Sequence, residues 1–300
     1  MRSLQPIVGR EDELAVVRRF VDGVGDGPAS LVLEGLAGIG KTAIWQQAVH
    51  TARTGGATVR TCRCSESDSG WAFAGLGDLF DGLDDAILAE LPAVQRSALS
   101  AALLISDAVA GAPGDRVLGV AVLGVIRALA RSAPLILAVD DIQWLDGSSS
   151  KVLTFALRRL GDEPVRLVAS RRTTSLVDSA AADTLGLAGE GITVGPVSIG
   201  IMQRIVQLQL NRMMTRPILT RVHRATGGNP MMSLEMARAL QRRGLVPAAG
   251  EPLPIPADLG MLVTERLAGL SAPTREMLLL TAALAQPTVP ARGGRGRRSH

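Results

Sequence analysis

Short uninterrupted apolar runs alternate along the chain with longer stretches whose apolar residues recur at helical spacing. Leu31–Leu33, Ala57–Cys62, Leu135–Val139, Val165–Ala169 and Ile192–Val194 read as buried strands. Between them, Thr42–Arg53, Arg116–Arg131 and Ser148–Leu160 read as helices; Pro134 stops the second, and the third opens on serines suited to capping. Trp71–Ile105 is a weaker helical pattern broken by glycines. Strands alternating with helices predict an α/β fold whose parallel sheet is covered by helices on both faces. After Pro196 the pattern is helical only: Ser198–Leu210, Pro217–Thr226, Met231–Arg243, Leu259–Leu267 and Pro273–Ala285. The expected organisation is an α/β domain over 1–195, a helical lid over 196–245 and a proline-rich linker over 246–258. A partial unit over 259–286 and a basic tail over 287–300 complete it, without an internal repeat.

Chemistry concentrates at two strand ends. Gly35-Leu-Ala-Gly-Ile-Gly40-Lys41-Thr42 has the form G-x-x-x-x-G-K-[ST], follows the first strand and opens the first helix, which is the context of a phosphate-binding loop. Its glycines let the backbone wrap an anion, and the amides of Ala37, Gly38, Ile39, Gly40, Lys41, Thr42 and Ala43 converge at a positive helix N-terminus. Lys41 supplies a compact charge for the β- and γ-phosphates, and the Thr42 hydroxyl suits Mg²⁺. Lysine stands at only two positions, Lys41 and Lys151, in a chain that otherwise uses arginine. An ammonium in the loop therefore marks a place where a planar guanidinium would not serve. About 100 residues later the strand Leu135–Val139 delivers Asp140 for Mg²⁺ and Asp141 to orient or deprotonate an attacking water. Arg171, at the end of the next strand, is within reach of a γ-phosphate; on chemistry alone Arg172 is an equal candidate. These motifs specify the fold class further, as a P-loop NTPase using ATP or ADP with Mg²⁺.

Composition narrows the partners. The formal charge is +4, and Arg292, Arg295, Arg297 and Arg298 of the acid-free tail account for all of it. The rest is neutral and has no net-charge reason to seek nucleic acid, although the sequence pI is about 9.9. Mean hydropathy is +0.25, yet no apolar run reaches the roughly 18–20 residues of a membrane span. Acids at Glu11, Asp12 and Glu13 stand where a signal peptide would be apolar, so the expectation is a soluble cytoplasmic protein. Cys62 and Cys64 form a lone C-x-C, short of the about four ligands zinc requires, and read as a strand end with two small residues.

VGREDEL (Val8–Leu14), the glycine loop, LAVDDIQWLD (Leu137–Asp146) and RATGGNPMMSLE (Arg224–Glu235) occur in one order. Together they resemble the ATPase module of large LuxR-type, MalT-like transcriptional regulators, which are signal-transduction P-loop ATPases near the wider AAA-like group. The resemblance covers about Ile7 to Ala285. It implies that Val8, Gly9 and Arg10 contact the adenine side of the nucleotide and that Pro230 packs on the base from the lid. It also implies Asp140 as the Mg²⁺ aspartate, Asp141 as the hydrolysis-linked acid and Arg171 as a sensor. Gly228-Asn229-Pro230 is equally an ordinary helix-boundary sequence. LSAPTREMLLLTAALA (Leu270–Ala285) resembles the opening of a winged-helix-like unit. The pattern then gives way to the basic tail, and no DNA-binding domain is visible. The leading expectation is a nucleotide-dependent regulatory switch with slow hydrolysis, with nucleotide and a protein partner or self-association as its contacts. An autonomous AAA-like ATPase enzyme and a truncated, non-hydrolysing interaction fragment are the alternatives.

Overall fold

The five apolar runs become the five strands of one all-parallel sheet in the computed structural model, which describes residues 6–103, 114–173, 184–243, 253 and 271–285. The strands are β1 (Ala29–Gly35), β2 (Thr58–Arg63), β3 (Leu135–Asp140), β4 (Val165–Arg172) and β5 (Gly189–Thr193), in the order β2-β3-β4-β1-β5. β4 therefore lies between the strand that ends in the glycine loop and the strand that ends in Asp140.

Side chains alternate across a strand, so each strand feeds two cores. Leu31, Leu33, Ile136, Ala138 and Val168 pack with Val17 and Phe20 of α1 (Glu11–Asp22) and with Ile44, Trp45 and Ala48 of α2 (Lys41–Thr54). Leu135, Leu137, Val139, Val165, Leu167 and Cys62 pack on the other face. Their partners there include helices α3 (Ala74–Phe80), α4 (Asp85–Ala89), α5 (Ala93–Ala102), α6 (Asp115–Ser132) and α7 (Gly147–Leu157). A parallel sheet covered on both faces is the architecture expected from the alternation.

The chain divides into two compact units, Met1–Leu234 and Glu235–His300. The first includes the sheet, α8 (Ile199–Leu210), α9 (Arg216–Thr226) and the start of α10 (Pro230–Arg243). In the second, α11 (Ala272–Ala285) exposes Met277, Leu279 and Leu280. The expected helix Leu259–Leu267, most of the 246–258 linker and the 287–300 tail lie outside the described residues. No helix among the described residues is long and apolar enough to cross a membrane.

One local feature differs from the expected pattern. α1 was not anticipated, because its apolar stripe is narrow and flanked by charge; three acids in its first turn complement the helix dipole. Within Trp71–Ile105, read as helical with glycine breaks, the described residues 71–103 form α3, α4 and α5. Asp146 explains how α3 and α7 are joined. Its carboxylate caps α7 through the Ser149 amide (2.8 Å) and also accepts from the amides of Phe73 and Gly75 (3.0 Å each). Burial opposes its charge, but hydrogen bonds from the Ser149 hydroxyl and these amides outweigh that penalty and hold its carboxyl below the usual range.

Candidate functional site

The glycine loop directs its carbonyls outward, and each from Gly35 to Ile39 has a donor from another group. Lys41 Nζ donates to Gly35 O and Leu36 O at 3.0 Å each, and the Thr173 amide also reaches Gly35 O at 3.1 Å. Asn229 Nδ2 donates to Ala37 O (2.9 Å), the Met231 amide to Gly38 O (3.2 Å) and Arg10 Nη2 to Ile39 O (2.8 Å). With the carbonyls satisfied from behind, the amides at the start of α2 remain as the orphan donors that a helix N-terminus offers an anion. Gly38 is required here: its φ is +73°, and a Cβ would lie 2.8 Å from Met231 Cε and 3.1 Å from Asn229 Oδ1.

Lys41 is buried at 5% relative exposure, and desolvation pushes its ammonium below its usual range, with the Asp141 charge acting in the opposite direction. Two of its three protons are on loop carbonyls, which leaves one for a phosphate oxygen. Thr42 Oγ1 donates to Asp140 Oδ1 at 3.3 Å, so the predicted hydroxyl and carboxylate meet. Two hard oxygen donors at a phosphate cradle suit Mg²⁺.

Ser170 was not singled out in the sequence, yet it joins the two acids. Its hydroxyl donates to Asp140 Oδ1 and accepts the Asp141 amide at 2.8 Å. The two arginines that follow diverge by strand parity. Ser170 and Arg172 share the Val168 face, on which α2 packs; Arg171 shares the Leu167 face. Arg171 accordingly reaches Glu34 Oε1 (3.4 Å) and Thr184 Oγ1 (3.3 Å). Arg172 pairs with Asp141 through Nε (3.2 Å) and Nη2 (3.3 Å). The structure thus brings Lys41, Thr42, Asp140 and Asp141 to one face of the sheet, and Arg171 does not join them.

Beside the loop opens a cavity of about 410 Å³, lined by Val8, Arg10, Ile39, Gly40, Ala43 and Pro230 among the expected residues. Val197, Ile205, Leu208 and Gln209 complete the wall from the α8 side, together with Gln46, Pro6 and Ile7. α8 was legible as a helix, but which of its residues turn inward was not. Arg10 lines the cavity while its guanidinium ties Ile39 O to Gly195 O (2.8 Å) and pairs with Glu13 (2.9 Å). Gly9 does not line the cavity; it permits close approach, since a Cβ there would lie 2.5 Å from Ile201 Cγ2 and its φ is +71°. Asn229 caps α10 through the Met232 amide (3.2 Å) while reaching the loop, so the Gly-Asn-Pro segment is both a helix boundary and a contact to the phosphate loop.

Comparison with known proteins places this geometry in context. Residues 6–168 match a family described as AAA ATPase domain. An uncharacterized protein of Rhizobium meliloti (strain 1021) is 26% identical over 193 residues, and the match covers 56% of this chain. The chain spans only 18% of that relative's length. Among solved structures, the Walker-type ATPase of Pyrococcus abyssi superposes with a TM-score of 0.51 at 12% identity, over 94% of this chain and 78% of that one. Cdc6p from Pyrobaculum aerophilum gives 0.52 at 16% identity, over 93% and 72%. These two likenesses are of fold.

Proposed function

The chain belongs to the AAA ATPase domain family, and on that premise we propose that it is the ATP-binding switch module of a LuxR-type transcriptional regulator. In this reading ATP or ADP, with Mg²⁺, lies with its phosphates on Gly38–Thr42 and its base in the cavity bounded by Val8, Arg10, Ala43 and Pro230. The observation that carries the reading is the continuity of cradle and cavity: Ile39, Gly40 and Ala43 belong to both. A volume of about 410 Å³ is within the ~300–1,000 Å³ usual for small-molecule sites.

The same segments explain why occupancy acts as a signal. Asn229 and Met231 touch the loop carbonyls, and Pro230 between them lines the cavity, so one turn of the lid contacts both the phosphate loop and the cavity proposed for the base. Thr42 and Asp140 would hold Mg²⁺, which would neutralise phosphate charge there. Asp141 orients the attacking water. The sensor role that the resemblance assigns to Arg171 is not part of this proposal, because its guanidinium lies on the far face with Glu34.

The test is a titration of the protein with ATP and ADP, with and without Mg²⁺, beside Lys41→Ala. Binding that Lys41→Ala weakens by at least about tenfold supports the reading, since a charge-assisted phosphate contact contributes about 1.5–3 kcal/mol. Well-folded wild-type protein that binds neither nucleotide would sink it.

A further inference from the structure

Asp141 is held in an unusual place by a closed ring of hydrogen bonds. Its φ is +54°, in the left-handed region that non-glycine residues seldom adopt. The Ser170 hydroxyl accepts its amide at 2.8 Å. Gln143 Nε2 donates to Asp141 Oδ1 at 2.9 Å, and Gln143 Oε1 of the same side chain accepts the Arg172 backbone amide at 3.0 Å. Arg172 then closes the ring with a two-pronged contact, Nε to Oδ1 at 3.2 Å and Nη2 to Oδ2 at 3.3 Å. A carboxylate offers about four acceptor positions, so these three contacts leave about one for a water.

We propose that Arg172, fixed by Gln143, is a positioning residue that restrains Asp141, so that release of this guanidinium limits ATP turnover. The inference rests on the reading of the cavity and loop as an ATP site in which Asp141 orients the attacking water. A base works only within hydrogen-bonding reach of its proton, about 2.6–3.2 Å, and along the direction of attack. An Asp141 turned toward the end of β4, with both oxygens on one guanidinium, does not meet that requirement until the pair opens. The fork of Arg172 also suits phosphate oxygens. It stands on the α2 face, close enough that its charge, like those of Asp141 and Asp140, acts on Lys41. An anion arriving at Lys41 therefore competes with Asp141 for Arg172.

The experiment is steady-state ATP hydrolysis with Mg²⁺, in parallel with nucleotide affinity, for wild type, Arg172→Gln, Arg172→Lys, Asp141→Asn and the double variant Arg172→Gln/Asp141→Asn. Arg172→Gln is expected to raise kcat at least about threefold with KM within about twofold, a fraction of the ~10²–10⁴ that a positioned base supplies. Arg172→Lys keeps the charge without the fork and falls between. On the Asp141→Asn background, Arg172→Gln has no effect. Unchanged or lower kcat in Arg172→Gln overturns the inference, and so does an equal gain on both backgrounds. Should wild type show no turnover, its appearance in Arg172→Gln supports the restraint and its continued absence overturns it. ATP bound equally by wild type and Lys41→Ala would instead overturn the site reading, and the restraint with it. Lys41-dependent binding with an unresponsive kcat overturns the restraint alone.

Discussion

Asn229 offers the sharpest perturbation, because its two side-chain atoms do separable work. It is 3% exposed; Oδ1 accepts the Met232 amide at 3.2 Å and Nδ2 donates to Ala37 O at 2.9 Å. The partners fix which end is which, since an amide must meet an acceptor and a carbonyl a donor. Asn229→Ala removes the α10 cap, at about 1 kcal/mol. It also strands the Ala37 carbonyl, at about 1–3 kcal/mol for a buried unsatisfied group. The total of about 2–4 kcal/mol corresponds to roughly 4–16 °C in Tm for a cooperative unit of this size, at ~2–4 °C per kcal/mol. Asn229→Asp separates the parts. It retains the capping oxygen of α10, but it turns a buried acceptor toward Ala37 O and places negative charge beside the proposed phosphates. The expectation is therefore a larger loss of nucleotide affinity per degree of Tm lost for Asn229→Asp than for Asn229→Ala. Thermal unfolding and fluorescent-nucleotide titration read the two quantities. If both variants lose stability and affinity in the same proportion, the lid turn does not support the loop in the manner argued.

Two further predictions follow from the same geometry. Asp146→Asn replaces one of the oxygens that accept the Phe73, Gly75 and Ser149 amides by a donor, at an expected cost of about 1–3 kcal/mol at pH 7 by denaturant unfolding. Because the folded carboxyl is held below the unfolded value of about 3.9, this advantage is complete above that pH and lost as pH falls through the folded pKa; a gap that stays constant from pH 7 to pH 3 would refute it. Gly9→Ala forces a left-handed alanine, about 1–2 kcal/mol, and pushes Ile201 with α8 off the cavity wall. Nucleotide affinity should fall about tenfold, one tenfold step per ~1.4 kcal/mol, and the added variant Ile201→Ala should recover part of it; failure of that rescue removes the steric explanation.

The strands and the glycine loop were legible because their signals are local. A strand buried on both faces is a continuous apolar run, and Gly35–Thr42 is a pattern of adjacent residues. What escaped depends on strand order. Nothing in the residues says that β4 separates β1 from β3. Without that order, neither Ser170 as the bridge between Asp140 and Asp141 nor the divergence of Arg171 and Arg172 can be read. Once Val168 is known to face α2, parity alone assigns Ser170 and Arg172 to the site and Arg171 to the opposite face. Asn229 shows a second kind of limit. Its capping role is written in its neighbours, but its bond to Ala37, 192 residues away, is tertiary. Likewise the motif resemblance pointed to Arg10, while the use of its guanidinium on two backbone carbonyls, Ile39 and Gly195, emerges only from packing.

These contacts divide the proposed site by what each side can sense. A ligand shifts a conformational equilibrium only through its different affinity for the two states. The lid turn, through Asn229, Pro230 and Met231, touches the loop carbonyls and the cavity, both of which ADP and ATP would fill alike. Its position therefore reports occupancy and has little basis for telling the two nucleotides apart. The difference between them is one phosphoryl group. The side chains placed to meet it, Lys41, Thr42, Asp140, Asp141 and Arg172, belong to the start of α2 and to the ends of β3 and β4. In the proposed switch, discrimination of ATP from ADP would begin at these side chains, the Asp141–Arg172 pair among them, and reach the lid through the loop. Gly35 O is the shared point, since it accepts both Lys41 Nζ and the Thr173 amide just beyond Arg172. A switch built this way requires two conditions, a filled cavity and an opened Asp141–Arg172 pair. A variant that opens the pair should then make ADP act like ATP on the lid, without changing the affinity for either nucleotide's base.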